Sequence, residues 1–438
     1  MKPLLFRIAS VSVAFCAAAA CTASGDEGIE TTPSQDDGGV ASIPEAEAPD
    51  AATPDDDAAS DATKVPSTCS DAGWCITPLP DPALTMTDIW PVDADHAFGL
   101  ADENAVLEWD ASIGHWVYID DGSARNLPDA FPANIWAPSK DEVYFTVNAR
   151  SPLLPSSARS AHVYHGKRAA PPAQGWTWTH LDFACDHGNS LPQVWGTSSN
   201  DVYLWACKTV HHFTGDAGGD GGATAAWAAE FIDDDLDPFN PLETFGVTGS
   251  GPDDVWFVGV RGALWILGGG CTVIVHKTAT GYERIVDGTA GFFTTECTAK
   301  PGISMLNGAL TNLLGGTLES AGKGRALGTL WTTDGPNDLV AIEAGGEGGS
   351  SIRFAQTPGV RINGVWAASD DPVWVLADRG GVGGIVRGTN VWSDAGSYEI
   401  STLVRDGVPN IEMLVRLRGT ANTLWAAGKG NVYRKTLP

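Results

Sequence analysis

One short phrase recurs along this 438-residue chain and constrains its fold more than any other feature. In its fullest form, VWGTSSNDVYLWA (194–206), an apolar strand ends in Trp195, a polar turn follows, and a second apolar strand begins after Asp201. Similar phrases stand at 89–101, 135–147, 247–259 and 365–377. Self-similarity at a period of roughly 50 residues is typical of repeated structural units that pack on one another.

The repeat unit is clearest in its first copy, where four short strands follow one another. The apolar runs and turns predict strands over 84–90, 96–101, 105–110 and 116–120. Four hairpin-connected strands, repeated about seven times, predict an all-β protein: a β-propeller of seven four-stranded blades. A single blade has two apolar faces and is stable only between neighbours, so a closed ring stabilises every copy. A β-sandwich does not explain the regular restart of the phrase.

Each repeat has an anchor, the last residue of its first strand before the polar turn. We place the anchors at Trp90, Trp136, Trp195, Val247, Trp331, Trp366 and Leu417. The gap between Val247 and Trp331 is the longest, and we interpret it as an insertion within or after the fourth blade. A hidden eighth blade is the alternative.

The two ends of the repeat region complement each other. The last repeat supplies three strands up to Pro438, whereas GWCITPLP (73–80), before the first full unit, has the pattern of a fourth strand. We predict that residues 74–78 pair with the strand at 431–435, so that the N-terminal strand closes the last blade. Such closure also covers a strand edge that would otherwise promote aggregation.

Six of the eight cysteines lie within this region, and six cysteines allow 15 pairings. Their spacing favours three close pairs: Cys69–Cys75, Cys185–Cys207 and Cys271–Cys297. Disulfides are the rule in an exported protein. Zinc is the alternative, but the chain has no C-x-x-C pair for it.

The first 20 residues have the layout of a secretory signal peptide. Lys2 and Arg7 precede an apolar run that is too short to span a bilayer, and small residues follow it. AAAC (18–21) resembles the lipobox of bacterial lipoproteins. The resemblance implies cleavage before Cys21 and acylation of that residue, for example by palmitate, which would anchor the chain in a membrane. Residue 22 is Thr rather than the Asp of similar inner-membrane lipoproteins, which favours the outer membrane.

Residues 21–68 follow as the lipidated cysteine and a tether. From residue 22 on, this segment contains twelve acidic residues against a single lysine, Lys64, and almost no large apolar side chain. Such a composition cannot bury enough apolar surface to offset its ordering entropy, so we expect a disordered acidic linker. The repeat domain then occupies 69–438.

The formal net charge of −28 excludes some partners. It argues against nucleic acid, because the chain has no basic stripe to replace phosphate counterions. We expect a monomer whose partners are an envelope protein or glycan, with membrane contact through the lipid anchor.

Three groups of polar residues are candidates for chemistry. One positive cluster, Arg150, Arg159, Lys167 and Arg168, is a candidate anionic-ligand loop. The acidic run at 233–237 is the candidate calcium site, although it lacks the EF-hand spacing; we otherwise predict no metal and no cofactor. The turn residues Asp95, Asp141, Asp201, Asp254 and Asp371 recur in the repeats, so we interpret them as fixing turns rather than as catalytic groups.

Histidines cluster between residues 162 and 212. His162 and His165 do not alternate along a strand, and neither do His211 and His212, so each pair would point to opposite faces rather than to one metal.

The repeats and the lipobox together resemble predicted lipoproteins, common in myxobacteria-like bacteria, that carry VW…DVW-type propeller repeats. The resemblance covers nearly all of 69–438 and implies the fold, but says little about chemistry. No G-x-S-x-G, H-E-x-x-H or P-loop motif is present. We therefore predict a lipid-anchored binding or scaffolding module for protein or glycan on the cell envelope, with no catalytic residues. The alternative is a glycosidase or lyase that processes polysaccharide in the propeller channel. We expect function where the copies differ, in the insertions after Val147, Gly215 and Thr289.

Overall fold

The chain divides into two units in the computed structural model, Met1–Lys64 and Val65–Pro438. The structure describes residues 68–150, 159–171, 175–185, 191–215, 227–235, 242–262, 270–290, 296–308, 318–331, 338–345, 350–357, 361–379, 382–404 and 413–438. The predicted signal peptide, Cys21 and the tether up to residue 67 lie outside the described residues.

The described chain forms seven four-stranded antiparallel sheets, which we number as blades along the sequence. It begins with β1 (Trp74–Pro78), which belongs to the last blade. Blade 1 consists of β2 (Met86–Pro91), β3 (His96–Ala101), β4 (Val106–Asp110) and β5 (His115–Tyr118). Blade 2 consists of β6 (Phe131–Ser139), β7 (Glu142–Arg150), β8 (Arg159–Arg168) and β9 (Trp176–Cys185). Two short 3₁₀ turns flank β4 and β5, at Asp102–Asn104 and Ala124–Asn126.

The next two blades and an added hairpin follow. Blade 3 consists of β10 (Gln193–Ser198), β11 (Asp201–Ala206), β12 (Thr209–Phe213) and β13 (Trp227–Ile232). Blade 4 consists of β14 (Leu242–Gly251), β15 (Asp254–Arg261), β16 (Cys271–Thr278) and β17 (Gly281–Val286). The hairpin consists of β18 (Gly288–Ala290) and β19 (Cys297–Ala299).

Three blades complete the ring. Blade 5 consists of β20 (Leu318–Ser320), β21 (Arg325–Leu330), β22 (Asp338–Glu343) and β23 (Ser351–Ala355). Blade 6 consists of β24 (Arg361–Trp366), β25 (Val373–Arg379), β26 (Val382–Thr389) and β27 (Ser397–Ser401). Blade 7 consists of β28 (Leu414–Thr420), β29 (Thr423–Gly428), β30 (Asn431–Thr436) and β1.

The ring closes as the sequence predicts. β1 pairs antiparallel with β30, from Trp74 opposite Lys435 to Pro78 opposite Asn431. The first strands of successive blades contact one another around the ring, and β28 of blade 7 contacts β2 of blade 1. The all-β, seven-bladed propeller is confirmed, and the seven blades of the described chain close the ring without an eighth.

Neighbouring blades are joined by the anchor tryptophans. Trp136 of blade 2 packs against Gly196 of blade 3, where a Cβ would approach the indole to 2.9 Å. Trp366 of blade 6 meets Gly419 of blade 7 in the same way, and a Cβ on that glycine would lie 2.8 Å from the indole. The glycine after the anchor position therefore leaves room for the indole of the preceding blade, which explains why Gly196, Gly249 and Gly419 stand at this position in blades 3, 4 and 7.

Two predicted anchors are one residue out of register. The anchor tryptophans lie opposite an aromatic residue of the second strand, as Trp195 lies opposite Tyr203. In blades 4 and 7 that position belongs to Thr248 and Arg418, not to Val247 and Leu417. Apolar character alone selected the wrong residue, because the structural position also accepts polar side chains.

The fifth repeat is shifted by one hairpin. Trp331 follows β21, so its polar turn joins the second and third strands, whereas the first strand is the short β20. A polar turn between two apolar strands has the same pattern in either hairpin. The long gap before Trp331 contains the β18–β19 hairpin after blade 4, which confirms an insertion there.

Three disulfides join Cys69 to Cys75, Cys185 to Cys207 and Cys271 to Cys297. The first holds the entering chain against β1. The second links the end of β9 to the turn after β11, and so ties blade 2 to blade 3. The third holds the β18–β19 hairpin on β16. Their presence indicates an oxidising, non-cytoplasmic compartment.

Candidate functional site

Blades 2, 3 and 4 share a side-chain arrangement that we call the histidine clasp. A carboxylate begins the second strand, an aromatic residue follows two positions later, and a histidine lies opposite that aromatic residue on the third strand. The three clasps are Glu142–Tyr144–His165, Asp201–Tyr203–His212 and Asp254–Trp256–His276. In each, the imidazole donates to the carboxylate over 2.6–2.7 Å and stacks on the aromatic ring with centroids 3.9–4.1 Å apart.

The clasp carboxylates are held in their ionised form. Burial alone would raise the pKa of Glu142, but hydrogen bonds from His165 and Ser199 outweigh it and lower that pKa to about 2. The pKa of Asp254 is likewise lowered, because donors that include His276 and Ser250 outweigh the effect of burial. These carboxylates are occupied by internal donors, which makes the clasp a stabilising element rather than a site open to ligands.

The clasp of blade 3 is doubly anchored. His212 donates from Nε2 to Asp201 and from Nδ1 to Glu230, both over 2.6 Å. Burial lowers the pKa of His212, but these two carboxylates outweigh burial and raise it. Glu230 also accepts from the hydroxyl of Tyr282 on blade 4 over 2.6 Å, so the clasp connects two blades.

Blade 6 breaks this pattern. Trp374 occupies the aromatic position, but Pro372 stands where the clasp has its carboxylate and Arg387 stands opposite Trp374 in place of the histidine. Proline provides no side-chain acceptor for a partner on the third strand. The space that the clasp fills in blades 2 to 4 is open here.

A cavity of about 450 Å³ occupies this position, between blades 6 and 7. We call it the blade 6–7 pocket. Its walls include Trp366, Trp374 and Pro372 of blade 6, together with Ala72 of the entering chain and Lys435 of β30. The volume lies in the range of pockets that enclose small ligands or peptide side chains.

Two cations face the pocket. Lys435 Nζ lies 5.9 Å from the ring centroids of both Trp74 and Trp374 and donates to the carbonyl oxygen of Ala72. Burial lowers the pKa of Lys435, and the neighbouring Arg387 lowers it further. Among the described residues, no carboxylate lies within 4 Å of the charged nitrogens of Lys435 or Arg387, although Glu399 is opposite Arg387 in the strand register.

The pocket wall depends on the closing strand. Trp74 of β1 packs edge-on against Trp374, with ring centroids 6.3 Å apart, and its Nε1 donates to Ser401 of β27 over 2.9 Å. Since the lining residue Ala72 lies between Cys69 and Cys75, their disulfide restrains that part of the pocket wall.

The innermost strands carry a second charged cluster. Arg416 on β28 donates from Nε to Asp88 on β2 over 2.7 Å, and its Nη2 lies 3.8 Å from Glu319 on β20. Arg418 lies 3.4 Å and 3.6 Å from the same two carboxylates. Asp88 also accepts from the backbone of Ile135 in blade 2. This network joins blades 1, 2, 5 and 7 near the centre of the ring.

The four residues of the predicted cationic loop do not meet in one site. Arg150 and Arg159 pair at one end of the β7–β8 hairpin, whereas Lys167 and Arg168 lie at the other end of β8. Eight residues of strand separate Arg159 from Lys167, a distance of about 26 Å. The guanidinium of Arg168 contacts Glu108 and Asp141. The four residues therefore fall into two pairs at opposite ends of β8.

The acidic run at 233–237 contacts cations of its own chain. Asp233 receives two hydrogen bonds of 2.7 Å from the fully buried Arg261, and Arg284 contacts both Asp233 and Asp234. Lys300 bridges Asp235 and Asp287 over 2.9 Å each. These contacts engage both oxygens of Asp233, one oxygen of Asp234 and one of Asp235 within the protein. Asp237 lies outside the described residues.

The recurring turn aspartates have different roles. Asp371 accepts from the backbone N–H of Asn390 and Asp141 contacts Arg168, whereas Asp95 lies 3.6 Å from Arg434. Asp201 and Asp254 accept from the hydroxyls of Thr197 and Ser250 near the end of the first strand, and they also bind histidines of the third strand. No fixed spacing in the sequence indicates that second partner.

The paired histidines diverge as expected. His162 bonds Asp182, whereas His165 bonds Glu142. Within the described ranges, no group of three or more His, Cys, Asp or Glu side chains is arranged to hold a metal ion. None of the helices in the same ranges has the length and hydrophobicity to cross a bilayer.

Sequence reasoning missed the blade 6–7 pocket. None of its lining residues belongs to the three insertions where function was expected, and residues 151–158, 216–226, 291–295 and 309–317 of those insertions are outside the described residues. The available signal was the DDPVW variant of the repeat, in which proline replaces the carboxylate before the aromatic residue.

Comparisons with known proteins agree on the fold. No protein-family model and no curated protein matches the chain. A structure of YCF48 bound to D1 peptide matches with a TM-score of 0.52 and 12% identity, covering 85% of this chain and 98% of that one. YCF48 from Cyanidioschyzon merolae matches with a TM-score of 0.50 and 12% identity, covering 84% and 99%. Virginiamycin B lyase from Staphylococcus aureus has a TM-score of 0.49 and 13% identity, covering 83% and 99%. At these identities the likeness shows the fold alone: the chain is a seven-bladed β-propeller protein.

Proposed function

We propose that this protein is an exported, lipid-anchored propeller that binds a protein partner at the cell envelope through the blade 6–7 pocket. The observation that carries the proposal is the missing clasp of blade 6. At the position where the histidine clasp stabilises blades 2, 3 and 4, blade 6 has a cavity that is lined by tryptophans and two cations. Apolar pockets with a few converging polar groups are typical ligand sites.

Several features support a binding role on this fold. A propeller holds its pocket on rigid strands, which keeps Trp366, Trp374 and Lys435 preorganised. The similar YCF48 structure carries a bound D1 peptide, so a peptide is one ligand that this architecture accommodates in another protein. The three disulfides support export, and the −28 charge supports a partner other than nucleic acid.

The polysaccharide-processing alternative has less support. A glycosidase needs two carboxyl groups that can reach a sugar. Of the three carboxylates described on the innermost strands, Asp88 and Glu319 contact Arg416 and Arg418, and Asp88 also accepts backbone N–H groups. The third, Glu243 on β14, is only 7% exposed. All three are buried or engaged by arginines, which favours a structural role.

The lipid anchor is tested separately. We expect metabolic incorporation of a fatty-acid probe into the full chain and loss of that label in Cys21→Ser. Labelling that persists in Cys21→Ser would contradict the anchor, yet it would leave the binding proposal intact.

The binding role is tested with two matched photo-crosslinking positions. Ile400 on β27 and Ile232 on β13 are both outermost-strand residues and both 58% exposed, but only Ile400 lines the pocket. With a crosslinking amino acid at each position of the full chain in living cells, we expect a protease-sensitive adduct from position 400 and none from 232. Equal adducts from both positions, or none from 400, would overturn the proposal.

A further inference from the structure

We infer that the blade 6–7 pocket recognises a peptide segment in which an Asp or Glu lies beside a large aliphatic or aromatic residue, with the carboxylate between Arg387 and Lys435. This inference rests on the proposed function and adds the chemistry of its ligand. It follows from the charges, the walls and the strand edge at this one position.

The charge at the pocket favours an anion. Arg387 and Lys435 both line the pocket and have no carboxylate within 4 Å among the described residues, in a chain of net charge −28. Elsewhere cations such as Arg261, Arg284 and Arg416 contact acidic side chains. Two neighbouring like charges destabilise the unbound protein, and a ligand carboxylate would relieve that repulsion.

The donors are placed for such a contact. Lys435 uses one N–H for the carbonyl of Ala72, which leaves two of its three donors. Arg387 is exposed and has its guanidinium free of ion pairs in the described part of the chain. Glu399 lies at the rim opposite Arg387, where it would repel a second acidic group and would accept an N–H of the ligand instead.

The walls favour an apolar neighbour of that carboxylate. Trp366 and Trp374 form part of the lining, and the other small or apolar residues there are Ala72, Ala368, Pro372, Ile400, Ala421, Leu437 and Pro438. The hydroxyls of Ser369 and Ser401 are the neutral polar side chains of the lining. A sugar would need more partners for its hydroxyl groups, because an unmatched buried hydroxyl is costly.

The neighbouring backbone favours a peptide as well. β27 is the outermost strand of blade 6, so one of its edges has no strand partner in the described structure. An extended peptide can add to such an edge through main-chain hydrogen bonds while its side chains enter adjacent pockets. Glu399, Ile400 and Ser401 of β27 line the blade 6–7 pocket, which places edge and pocket side by side.

The test measures binding of three end-blocked hexapeptides, Ala-Gly hosts that contain Leu-Glu, Leu-Gln or Ala-Glu, to the purified full-length protein by calorimetry. We expect the Leu-Glu peptide to bind, and each of the other two to bind about tenfold more weakly. Arg387→Gln and Lys435→Gln should each weaken Leu-Glu binding about tenfold, and added salt should weaken it further. Lys323→Gln, an exposed cation of blade 5, is the matched control and should change nothing.

Results that would contradict this inference can be distinguished from results that would contradict the proposed binding role. Equal binding of Leu-Glu and Leu-Gln, or tighter binding of an oligogalacturonate than of any peptide, would overturn the inference. So would a partner adduct at position 400 that survives Arg387→Gln with Lys435→Gln, and in that case the proposed binding role still stands. Absence of the adduct in the unsubstituted pocket would refute the binding role itself.

Discussion

Blade 3 and blade 6 each have four strands and an aromatic residue at the same repeat position. In blade 3 a histidine clasp fills the space beside that residue, whereas in blade 6 a cavity lies there. In blade 3, Tyr203 stacks on His212, whose two ring nitrogens are both bonded to carboxylates. In blade 6, Trp374 faces Arg387, with Pro372 at the carboxylate position, and a cavity of about 450 Å³ remains. Blade 7, with Thr423, Trp425 and Arg434 at the three positions, also lacks the clasp, so the cavity depends on the residues around Trp374 as well as on the missing contact.

We expect the largest loss of stability from disrupting the buried ion-pair network around Arg261, which lies on β15 of the clasped blade 4. Arg261→Ala leaves Asp233 and Asp287, which are 2% and 0% exposed, without their main partner. We expect a loss of about 3 kcal/mol or more in the free energy of unfolding, because an uncompensated buried charge is costly. Urea denaturation followed by tryptophan fluorescence measures it, with Lys323→Ala as the surface control. A loss below about 1 kcal/mol would show that the network contributes little to the free energy of unfolding.

Removal of equivalent residues from a clasped and an open blade tests the contrast directly. His276→Ala takes a buried donor from Asp254 and leaves a void beside Trp256, so we expect a loss of about 2–3 kcal/mol. Arg387→Ala removes an exposed side chain from the same repeat position and should cost less than about 0.5 kcal/mol. Similar losses for both variants, measured by the same denaturation, would remove the distinction between closed and open blades.

Rebuilding the clasp in blade 6 tests the contrast from the other direction. The double variant Pro372→Asp with Arg387→His restores the carboxylate and histidine positions around Trp374. We expect binding of the Leu-Glu peptide to weaken at least about tenfold while the free energy of unfolding stays within about 1 kcal/mol. Calorimetry and denaturation measure the two quantities. Undiminished binding would show that the missing clasp is not what opens the site.

A pH dependence of the blade 3 clasp should be the weakest effect. Since the pKa of His212 is raised in the folded protein, its contribution to stability is complete below about pH 6.5 and is lost as pH rises through the raised pKa. The melting temperature of the unsubstituted protein should therefore exceed that of His212→Gln by about 1–2 °C at about pH 6, and the difference should shrink above about pH 7. The exposed His115→Gln is the control. A difference that grows with pH would contradict the assigned direction.

Acid acts on the blade 2 clasp in the opposite sense. The pKa of Glu142 is lowered to about 2, so its contribution is complete above about pH 4.5 and is lost as pH falls toward about 2. The clasps of blades 2 and 3 together therefore contribute most between about pH 4.5 and 6.5. Blade 6, which has no clasp, adds no such dependence.

The fold could be predicted from the sequence because its signals are local. Each hairpin pairs neighbouring segments, so the alternation of apolar strands and polar turns predicts four-stranded blades and their approximate number. The match between the incomplete last repeat and residues 74–78 also predicted that this segment pairs with the strand at 431–435, and the structure adds the register. The same local pattern was ambiguous at Trp331, because a polar turn between two apolar strands can join either the first and second strands of a blade or the second and third.

The position of the site emerged from the tertiary structure alone. The clasp histidines follow their carboxylates at unequal separations, since His165 and His212 come after hairpin loops of different length, and no sequence motif marks them. The pocket combines Ala72, Trp374 and Lys435, which are remote in sequence and meet because the ring closes. Strand formation depends on neighbouring residues, whereas a cavity depends on which side chains remain unpartnered after packing, and packing is set by the whole ring.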